Sequence, residues 1–436
     1  MPIWKPDQEC MSRDELQQLQ LERLQSTLNR VYKNVSFHRR RFQEIGFRPE
    51  EDLTELSDLQ RLPFTVSREV SDSYPYGMFA VPLREVVRVH SSSGTMENPR
   101  VVGYTRRDLE AWSDLVARIL SAAGVTRDDV IQVMFGYGLL TGGLGIHYGA
   151  ERIGASVLPT STGRTDRQIG IIKDFRTTVL VSTPSYMLVL ADRMEAMKID
   201  PKSLRLKYCI CAGEPWTEEM RREIEERLFV TATDNYGISE VMGPGVAGEC
   251  LEKDGMHLQE DHFFVEIVEP GTDRVLGPGE EGELVLTTLT KEAFPVIRYR
   301  TGDLCRILPG TCACGRTMRR ISRIRSRCDN VVVVKGINII PERIGDILEQ
   351  MKGERPEYQL VATREGHRDE LEIWVEITER FFSDRMREQR TLVDVMRRKV
   401  ANFIGITPLI KLVERGSLER ENGVVKPFVD RRGQYC

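Results

Sequence analysis

The pattern of apolar and polar positions changes twice along the chain. The first stretch predicts helices, because Ser12 and Glu15 have the spacing of a capping box and the apolar residues after them recur with helical periodicity. Those residues share one face of the predicted helix: Leu21, Leu24, Leu28 and Val31. From Tyr32 to Thr65 the chain is charged and interrupted by prolines, which indicates a helical segment packed on the part of the chain after it.

From about Val86 short apolar runs alternate with amphipathic stretches. This alternation predicts βαβ units, and therefore a parallel sheet with helices on both faces. The predicted elements are strands at Val86–Val89, Val130–Met134, Thr178–Ser182, Leu204–Cys211 and Leu228–Thr231, and a helix at Thr217–Arg227. After Asp261 the apolar positions alternate over longer runs, Phe263–Val268 and Gly282–Leu289, which indicates an antiparallel or barrel-like subdomain.

The second change falls near Arg327–Asn330, which we interpret as a hinge between a large domain, residues 1–326, and a small one, residues 327–436. The small domain is predicted as an α+β module of order βαββαβ. Its predicted strands are Val331–Val334, Tyr358–Ala362, Leu371–Ile377 and Leu409–Val413, and its helices are Glu342–Met351 and Phe382–Phe403. The fold class is therefore α/β, with a large N-terminal and a small C-terminal domain.

Composition narrows the function classes. The 436 residues carry a net charge of −4, which gives no electrostatic reason to expect nucleic acid or an anionic membrane as a partner. The N-terminal residues do not have the pattern of a secretory signal, and no run approaches the roughly 18 apolar residues that a membrane span needs. Nine scattered cysteines, an odd number, favour reduced thiols and a cytoplasmic location.

Two polar loops are the first candidates for chemistry. Asp234–Glu240 follows a predicted strand and offers an aromatic face at Tyr236, a hydroxyl at Ser239 and an acid at Glu240. Such groups can stack a base, bind a phosphate and hold Mg²⁺ through oxygen, since ligands of open α/β sheets bind at strand ends. The alternative interpretation is an ordinary surface turn that carries an acid.

The second loop, His90–Pro99, is rich in hydroxyls and also follows a predicted strand. Its backbone N–H groups and side chains could surround phosphates, although it lacks the Gly-Lys-Ser/Thr ending of a Walker A loop. A flexible serine-rich connection is the alternative.

Taken together, the motifs closely resemble the phenylacetate–CoA ligase family of adenylate-forming enzymes. The resemblance runs from about Tyr32 to Arg432. The motifs that carry it are Ser92–Thr95, Val101–Thr105, Gly136–Gly138, Thr141–Gly145, His147–Glu151, Thr183–Tyr186, Gly213–Trp216, Tyr236–Ala247, Ile297–Leu304, Cys312–Thr317 and Lys335–Asn338. In this family a large N-terminal domain is joined to a small mobile C-terminal domain, and homodimers are common.

The resemblance implies ATP, Mg²⁺ and CoA as cofactors or co-substrates and an aromatic acid as the substrate. Ser92, Ser93, Gly94 and Thr95 are expected to hold the ATP phosphates, and Gly213, Glu214, Pro215, Asp234 and Tyr236 to line the adenine. Gly237 and Ser239 belong to the same nucleotide site. Asp303 is expected to bind the ribose hydroxyls, Arg327 the ribose or a phosphate, and Glu240 Mg²⁺; Asp329 is expected at the hinge. Thr95, Glu240 and Lys426 form the expected catalytic set.

The expected aryl pocket consists of Tyr137, Leu140, Gly213 and Ile238. Leu140 stands where the family usually has Phe, which points to a wider pocket or a different acid.

Two departures from the family concern adenylation, the attack of the carboxylate on the α-phosphorus of ATP. Met96-Glu97-Asn98-Pro99 stands where the family usually has Thr-Gly-Lys/Asn-Pro, and Glu97 puts a carboxylate beside the triphosphate. Val424 stands where the family's catalytic lysine is expected, with Lys426 as a substitute two residues later. Two alternatives therefore stay open: a degenerate nucleotide- or acyl-CoA-binding module, and an adenylating enzyme that loads a carrier protein.

A metal site is predicted separately. Cys250 and His257, with Cys312 and Cys314 on a Pro/Gly-rich loop, make a set of three thiolates and one imidazole, which suits a structural Zn²⁺. Members of the family carry the same residues at these positions. Unligated cysteines are the alternative for a lone Cys-x-Cys pair. Cys209 and Cys211 are expected to be inert core thiols, and His262 a structural residue at a strand end.

Overall fold

The chain folds into two units that meet in sequence at Cys328 and Asp329. The computed structural model describes residues 3–91, 99–329, 331–352, 355–377, 386–421 and 424–432. We call the part before this junction the large unit and the part after it the small unit.

The large unit begins with helices, as the sequence predicts. Its helices are α1 (Pro6–Glu9), α2 (Arg13–Asn34), α3 (Ser36–Glu44), α4 (Pro49–Asp52), α5 (Ser67–Asp72), α6 (Arg106–Ala122), α7 (Gly142–Ile153), α8 (Thr165–Asp174), α9 (Pro184–Ala196) and α10 (Glu218–Leu228). The capping box at the start of α2 is confirmed, because Ser12 accepts from the backbone N–H of Glu15 and the Glu15 carboxylate accepts from that of Ser12. Leu24, Leu28 and Val31 of α2 are fully buried.

The strands of the large unit are β1 (Arg88–Ser91), β2 (Val101–Tyr104), β3 (Val130–Val133), β4 (Ser156–Leu158), β5 (Val179–Ser182), β6 (Tyr208–Ala212), β7 (Thr231–Ile238), β8 (Gly243–Glu249), β9 (Met256–Leu258), β10 (Phe263–Val268), β11 (Gly282–Thr288), β12 (Tyr299–Cys305), β13 (Ile307–Leu308), β14 (Arg320–Ile321) and β15 (Ser326–Arg327). Among the described residues they form a β1–β2 hairpin, a nine-stranded sheet and a four-stranded sheet.

The nine-stranded sheet has the order β13-β14-β9-β8-β7-β6-β5-β3-β4. Its half from β7 to β4 is parallel, so the prediction of parallel βαβ units is confirmed. The other half is antiparallel and begins where β8 folds back on β7. The carboxyl ends of β3, β5, β6 and β7 therefore lie along one edge of the sheet, where ligands of open α/β sheets bind.

Three predicted strand starts in the large unit are wrong by two residues or more. Leu228 ends helix α10, and Phe229, in a left-handed conformation (φ 54°), separates that helix from β7. Leu204 follows a 3₁₀ turn at Pro201–Ser203, so β6 begins only at Tyr208, where pairing with β5 starts. The strand predicted from Val86 begins at Arg88.

The four-stranded sheet, β10-β11-β12-β15, is antiparallel throughout and confirms the change of pattern after Asp261. In its last ladder Asp303 of β12 lies directly opposite Arg327 of β15. The main core of the large unit packs α2 and α6 against the sheets, with Leu28, Trp112 and Val116 completely enclosed.

The small unit contains α11 (Pro341–Lys352) and α12 (Met386–Ile404), and the strands β16 (Val332–Val334), β17 (Ile337–Ile339), β18 (Tyr358–Glu365), β19 (Arg368–Glu376), β20 (Leu409–Val413), β21 (Arg420–Glu421), β22 (Val424–Val425) and β23 (Phe428–Asp430). Its main sheet has the order β20-β19-β18-β23 and covers a core that includes Ile344, Leu360 and Val400. The predicted βαββαβ order misses β17 and the strands after β20, because runs of two or three residues have no readable periodicity.

Candidate functional site

Three loops converge at the carboxyl edge of the parallel strands. Gly213, directly after β6, has φ +83°, a conformation that favours glycine. A Cβ added there would lie 3.7 Å from the ring of Phe135, after β3, and 3.8 Å from the methyl group of Thr183, after β5. The three loops therefore come within contact distance of one another, and it is the backbone conformation of Gly213, rather than lack of space, that favours glycine.

The segment 234–240 is mostly strand rather than loop, which corrects the sequence-based interpretation. Asp234 to Ile238 belong to β7, and only Ser239 and Glu240 lie in the turn to β8. The turn is tight, because the backbone N–H groups of Val241 and Met242 both donate to the carbonyl of Ile238 at 3.2 Å. A Cβ on Gly237 would lie 2.0 Å from the carbonyl oxygen of Gly243, so no other residue fits there.

Asp303 accepts a hydrogen bond at each of its two carboxylate oxygens. The hydroxyl of Tyr236 donates to its Oδ2 at 2.7 Å, and Nη1 of Arg327 donates to its Oδ1 at 2.5 Å. Burial, followed by the charge of Asp303, raises the pKa of Tyr236 well above its usual range, so the phenol stays a donor. The structure thus brings together three residues that the sequence assigns to one nucleotide site.

Asp234 lies in a buried network with another acid. Burial, and then the nearby charge of Glu249, raise the pKa of Asp234 to about 6. Arg221 donates to both oxygens of Glu249 at 2.7 and 2.8 Å, and Arg323 lies 3.5 Å from Asp234. Both guanidinium groups also lie over the ring of Trp216, with their central carbons 5.2 and 4.7 Å from the ring centroid.

Two other residues of the predicted adenine set, Glu214 and Pro215, are less buried than Asp234. Glu214 accepts hydrogen bonds from the hydroxyl of Ser185 at 2.6 Å and from its backbone N–H at 3.3 Å. Pro215 is exposed. Glu214 is therefore fixed to the N-terminal turn of α9.

Glu240 forms a buried ion pair that the sequence analysis did not foresee. Nη1 of Arg100 lies 2.7 Å from Oε1 of Glu240 and also donates to the hydroxyl of Ser67 at 2.9 Å. Arg100 directly precedes β2, at the end of the hairpin where the connecting loop joins the β1–β2 pair. The feature of the sequence that could have pointed to Arg100 is its position directly after Pro99, at the end of the loop predicted to bind phosphates.

The predicted phosphate loop, Ser92, Ser93, Gly94 and Thr95 with Met96 and Glu97, lies outside the described residues. Its flanks are described. The backbone N–H of Ser91 donates to the carbonyl of Leu139 at 2.9 Å, and the Thr141 and Ser239 hydroxyls lie 2.9 Å apart. The start of the predicted phosphate loop, the Tyr137–Leu140 segment and the Ser239 turn are therefore neighbours.

Of the predicted aryl-pocket residues, Tyr137 has a defined polar partner. Its hydroxyl lies 3.3 Å from Nδ1 of His147, whose Nε2 lies 3.1 Å from Oε1 of Glu151. Leu140 is exposed and Ile238 is partly buried. His147 and Glu151 belong to a motif that the sequence analysis names, but nothing in that motif predicts the contact of His147 with Tyr137.

The four predicted zinc ligands come together. The ligand atoms of Cys250, His257, Cys312 and Cys314 all lie within 4.8 Å of one another. Sγ of Cys250 is 3.6 Å from Sγ of Cys312, and Sγ of Cys314 is 3.4 Å from Nε2 of His257. Hydrogen bonding from Cys250, together with His257, lowers the pKa of the Cys314 thiol, while hydrogen bonding to Cys314 and burial raise that of Cys250.

This donor set fits Zn²⁺, because three sulfurs and one imidazole converge without a carboxylate among them. The loop that carries Cys312 and Cys314 is also tied to the N-terminus. Arg316 donates to the Glu9 carboxylate at 2.6 Å, with both side chains buried, and the backbone N–H of Thr317 donates to the carbonyl of Glu9 at 3.1 Å.

The remaining cysteines and histidine behave as structural residues. Cys209 and Cys211 are fully buried in β6, and burial raises the pKa of both thiols. Nδ1 of His262 lies 2.7 Å from the hydroxyl of Thr290, and burial lowers the His262 pKa to about 4.

The predicted hinge and lysine residues belong to the small unit. Oδ1 of Asp329 accepts from the backbone N–H of Val331 at 3.2 Å. Nζ of Lys426 lies 3.7 Å from Oε2 of Glu421, and its backbone N–H donates to the carbonyl of Glu419. Val424 is 70% exposed.

Comparison with known proteins agrees with this architecture. Residues 141–289 match the AMP-binding enzyme family and residues 336–432 match the AMP-binding enzyme C-terminal domain. The chain is 46% identical to phenylacetate–coenzyme A ligase of Pseudomonas putida, over 97% of this chain and 96% of that protein. It is 42% identical to the enzyme of Thermus thermophilus, over 99% of this chain and 100% of that protein.

The chain belongs to the phenylacetate–CoA ligase family. The resemblance recognised in the sequence is thereby confirmed, as are the α/β fold class and the enzyme class, an AMP-forming acid–CoA ligase.

A solved structure supports the same assignment. A 2-hydroxyisobutyryl-CoA ligase in complex with 2-HIB-AMP and CoA superposes with a TM-score of 0.93 at 29% identity, covering 99% of this chain and 93% of that one. Among the residues that the structure describes, no helix is both long enough and apolar enough to cross a membrane.

Proposed function

We propose that this chain activates an aromatic carboxylic acid of the phenylacetate kind with ATP and transfers the acyl group to CoA. The observation that carries this proposal is Asp303, whose two oxygens face Tyr236 and Arg327 beside the sheet edge. In a chain of this family, such a carboxylate suits a pair of ribose hydroxyls. The related 2-hydroxyisobutyryl-CoA ligase has been solved with an acyl adenylate and CoA.

The reaction consists of two displacements. In the first, a carboxylate oxygen of the acid attacks the α-phosphorus of ATP, and the bond to pyrophosphate breaks. In the second, the sulfur of CoA attacks the acyl carbon, AMP leaves and the thiol proton is released. The first step depends on positioning and on neutralising charge, so the side chains around the phosphates decide its rate.

The nucleotide site would combine residues at the ends of β6 and β7, the pair of Asp303 and Arg327, and the predicted phosphate loop. Tyr236, Gly237 and Ser239 of the β7 end, with Gly213, Glu214 and Pro215, would enclose the adenosine, and Asp303 with Arg327 would hold the ribose. Asp234 would support the adenine side of this site from its buried network. Ser92, Ser93, Gly94 and Thr95 would take the phosphates.

Glu240 would hold Mg²⁺, which supplies charge neutralisation at the phosphates. Its carboxylate is nearly enclosed, and Arg100 contacts one of its oxygens. The second oxygen suits a hard cation that prefers oxygen ligands. Arg100 would add a positive charge near the triphosphate and so offset Glu97.

The acid would bind near Tyr137, Leu140, Gly213 and Ile238. Gly213 keeps the neighbouring loops close without filling the space with a side chain. Leu140 in place of an aromatic ring leaves room for a bulkier or substituted ring than phenylacetate.

Cys250, His257, Cys312 and Cys314 would hold one structural Zn²⁺. Its role would be to fix the loop 309–316, which carries the buried Arg316–Glu9 pair. Further parts of the proposal are a cytoplasmic location, in keeping with free thiols such as Cys209 and Cys211, and a homodimer.

Lys426 would take the role of the family's catalytic lysine. Val424, at the expected position, is exposed and uncharged, whereas Lys426 carries a partly exposed ammonium group two residues later. Asp329 would act as the hinge that lets the small unit present this lysine for adenylation and then move for thioester formation.

A coupled assay of AMP formation with a panel of arylacetic and benzoic acids tests this function. We expect AMP release that requires ATP, Mg²⁺, CoA and one or more aromatic acids. Pyrophosphate release without thioester formation on CoA would favour the enzyme that loads a carrier protein. Binding of ATP without pyrophosphate release from any acid would favour the degenerate binding module.

A further inference from the structure

A lysine lies fully buried beneath the turn that carries Glu240. Lys291, three residues after β11, is 1% exposed, and its Nζ lies 3.0 Å from the ring centroid of Tyr104. The same nitrogen is 3.7 Å from Sδ of Met242. A cation over an aromatic face is attracted by the ring quadrupole, and the attraction grows when water is excluded.

The ammonium group of Lys291 makes no ion pair within the described ranges of the chain. The acid that acts on it most is Asp108, but this carboxylate already accepts from the backbone N–H groups of Thr105, Glu292 and Ala293 at 2.7 to 3.0 Å. Burial lowers the pKa of Lys291 to about 7, against the opposing charge of Asp108. A buried, poorly compensated cation costs stability, and such groups cluster at functional sites.

Tyr104 connects this lysine to the turn between β7 and β8. Its hydroxyl donates to the carbonyl of Met242 at 2.9 Å, and its ring stacks on Trp112 with centroids 4.9 Å apart. Nε1 of Trp112 donates to the carbonyl of Pro244 at 2.7 Å. Tyr104 and Trp112 therefore each donate a hydrogen bond to a backbone carbonyl, that of Met242 at the end of the turn and that of Pro244 at the start of β8. Glu240 belongs to the same turn.

We propose that Lys291, in its charged form, is a positioning residue for adenylation. Its ammonium group holds the Tyr104 ring, the Tyr104 hydroxyl holds the Met242 carbonyl, and the turn then presents Glu240 to the metal and the phosphates. When Lys291 loses its proton, the attraction to the ring falls and the turn is held less firmly. This inference rests on the proposed function, because it assigns a residue to the adenylation step.

Other charged or titratable groups face this lysine from each packed element. Within the described residues they are His90 on β1, Tyr104 on β2 and Asp108 on α6, with Glu292 next to Lys291 in the chain. Burial lowers the pKa of His90 and raises that of Tyr104 well above its usual range, so neither changes charge between pH 7 and 9. Lys291 loses its proton within this interval.

The test compares wild type with Lys291→Met, an uncharged side chain of similar length, in pyrophosphate release at pH 6 to 9. We expect wild type to be at least about tenfold faster at pH 6, and the ratio of the two rates to approach one at pH 9. Lys202→Met is the matched control, because Lys202 also lies over an aromatic ring, that of Phe229 at 4.4 Å, but on the outside of the protein. Its ratio to wild type should stay constant with pH.

A second measurement does not depend on activity. Because the pKa of Lys291 is lower in the folded state, the unfolded chain binds more protons between about pH 7 and 10, so the stability of wild type relative to Lys291→Met should rise over that interval. A difference in unfolding midpoint that does not vary with pH would overturn the inference, as would a rate ratio independent of pH.

If Lys291→Met does not fold, Tyr104→Phe tests the connection, since it keeps the ring and removes the hydrogen bond to Met242. Adenylation should fall at least about tenfold while thioester formation from supplied acyl adenylate is spared; equal loss in both steps would refute positioning. Wild type that releases no pyrophosphate from any acid refutes the proposed function as well, whereas active wild type with a flat rate ratio refutes the role of Lys291 alone.

Discussion

Nη1 of Arg100 lies 2.7 Å from Oε1 of Glu240, and both side chains are largely enclosed. The carboxylate proposed to bind Mg²⁺ therefore already neutralises a cation of the protein. A metal ion must share this carboxylate with Arg100 or displace it, so the guanidinium and the metal ion are linked through one side chain.

The first prediction concerns this pair. Arg100→Gln should bind Mn²⁺, a probe for Mg²⁺, at least about threefold more tightly without nucleotide, because a competing cation has been removed. Calorimetry or electron paramagnetic resonance measures the affinity. Arg13→Gln is the matched control, since Arg13 also lies 2.7 Å from a buried glutamate, Glu260, on a different face. Equal metal affinity in wild type and Arg100→Gln would remove Glu240 from the metal site.

Asp303→Ala should weaken AMP binding by roughly 2 kcal/mol or more, because two charge-assisted hydrogen bonds to the ribose are lost. Asp303→Asn keeps the shape of the side chain and should give a smaller loss. Calorimetric titration with AMP measures both, and the unfolding midpoint shows whether Arg327 and Tyr236, left without a carboxylate, have destabilised the fold. Unchanged affinity would place the nucleotide elsewhere.

Protein washed with a weak chelator should contain about one zinc per chain, because a closed set of three thiolates and one imidazole holds the ion tightly. The double variant Cys312→Ser/Cys314→Ser should lose it and unfold at lower temperature. Cys209→Ala/Cys211→Ala removes as many thiols from the interior of β6 and should keep the metal. Elemental analysis measures the zinc content per chain, and an equal content in wild type and in the serine variant would contradict the assignment.

Lys426→Ala should slow adenylation at least tenfold, which corresponds to about 1.4 kcal/mol of barrier, and spare thioester formation from supplied acyl adenylate. The reason is that its ammonium group would neutralise charge only while the carboxylate meets the α-phosphate. Lys411→Ala, on the main sheet of the small unit, serves as the control. If both half-reactions of Lys426→Ala match wild type, another group supplies the charge.

Asp234 predicts a pH dependence of stability. Its pKa in the folded protein, about 6, lies above the ordinary value of 3.8. Between these two pH values the folded state binds more protons than the unfolded state, so the free energy of unfolding falls as pH rises through the folded pKa. Asp234→Asn should therefore be more stable than wild type by up to about 3 kcal/mol at pH 8 and by little at pH 4, at 1.36 kcal/mol for each pKa unit. Urea denaturation at the two pH values measures this, and an equal difference at both would contradict it.

Much of the fold could be predicted from periodicity. Local pattern in the sequence predicts the parallel strands β3 and β5, the long strands β10 and β11 and the capping box of α2. The end of α10 could not be predicted, because Leu228 and Val230 look like a continuous apolar run and the left-handed Phe229 between them has no sequence signature. Strands of two or three residues, such as β17 and β22, depend on distant partners rather than on periodicity.

The candidate site was predictable where residue type alone carries the chemistry. Residue type predicts a metal cluster that includes Cys250 and Cys312, and their ligand atoms lie together, whereas the assignment of Asp303 to the nucleotide comes from the resemblance to the family and stays a prediction. Contacts across the fold were not predictable: the sequence analysis singles out Glu240, but Arg100 lies far from it in sequence and nothing local shows that the two form an ion pair. Lys291 was missed for a different reason, because a lysine among polar neighbours in the sequence gives no sign that its amine will be buried on a tyrosine ring.

The buried pair between Glu9 and Arg316 has a consequence for synthesis of the chain. Translation produces Glu9 first, and its partner comes 307 residues later. Among the described residues Arg316 is the charged partner of Glu9, so burying Glu9 before Arg316 has been made would carry a large desolvation cost. Helix α1 is therefore expected to stay on the outside of the nascent chain while the sheets form, and to reach its native packing only after Arg316 has been made.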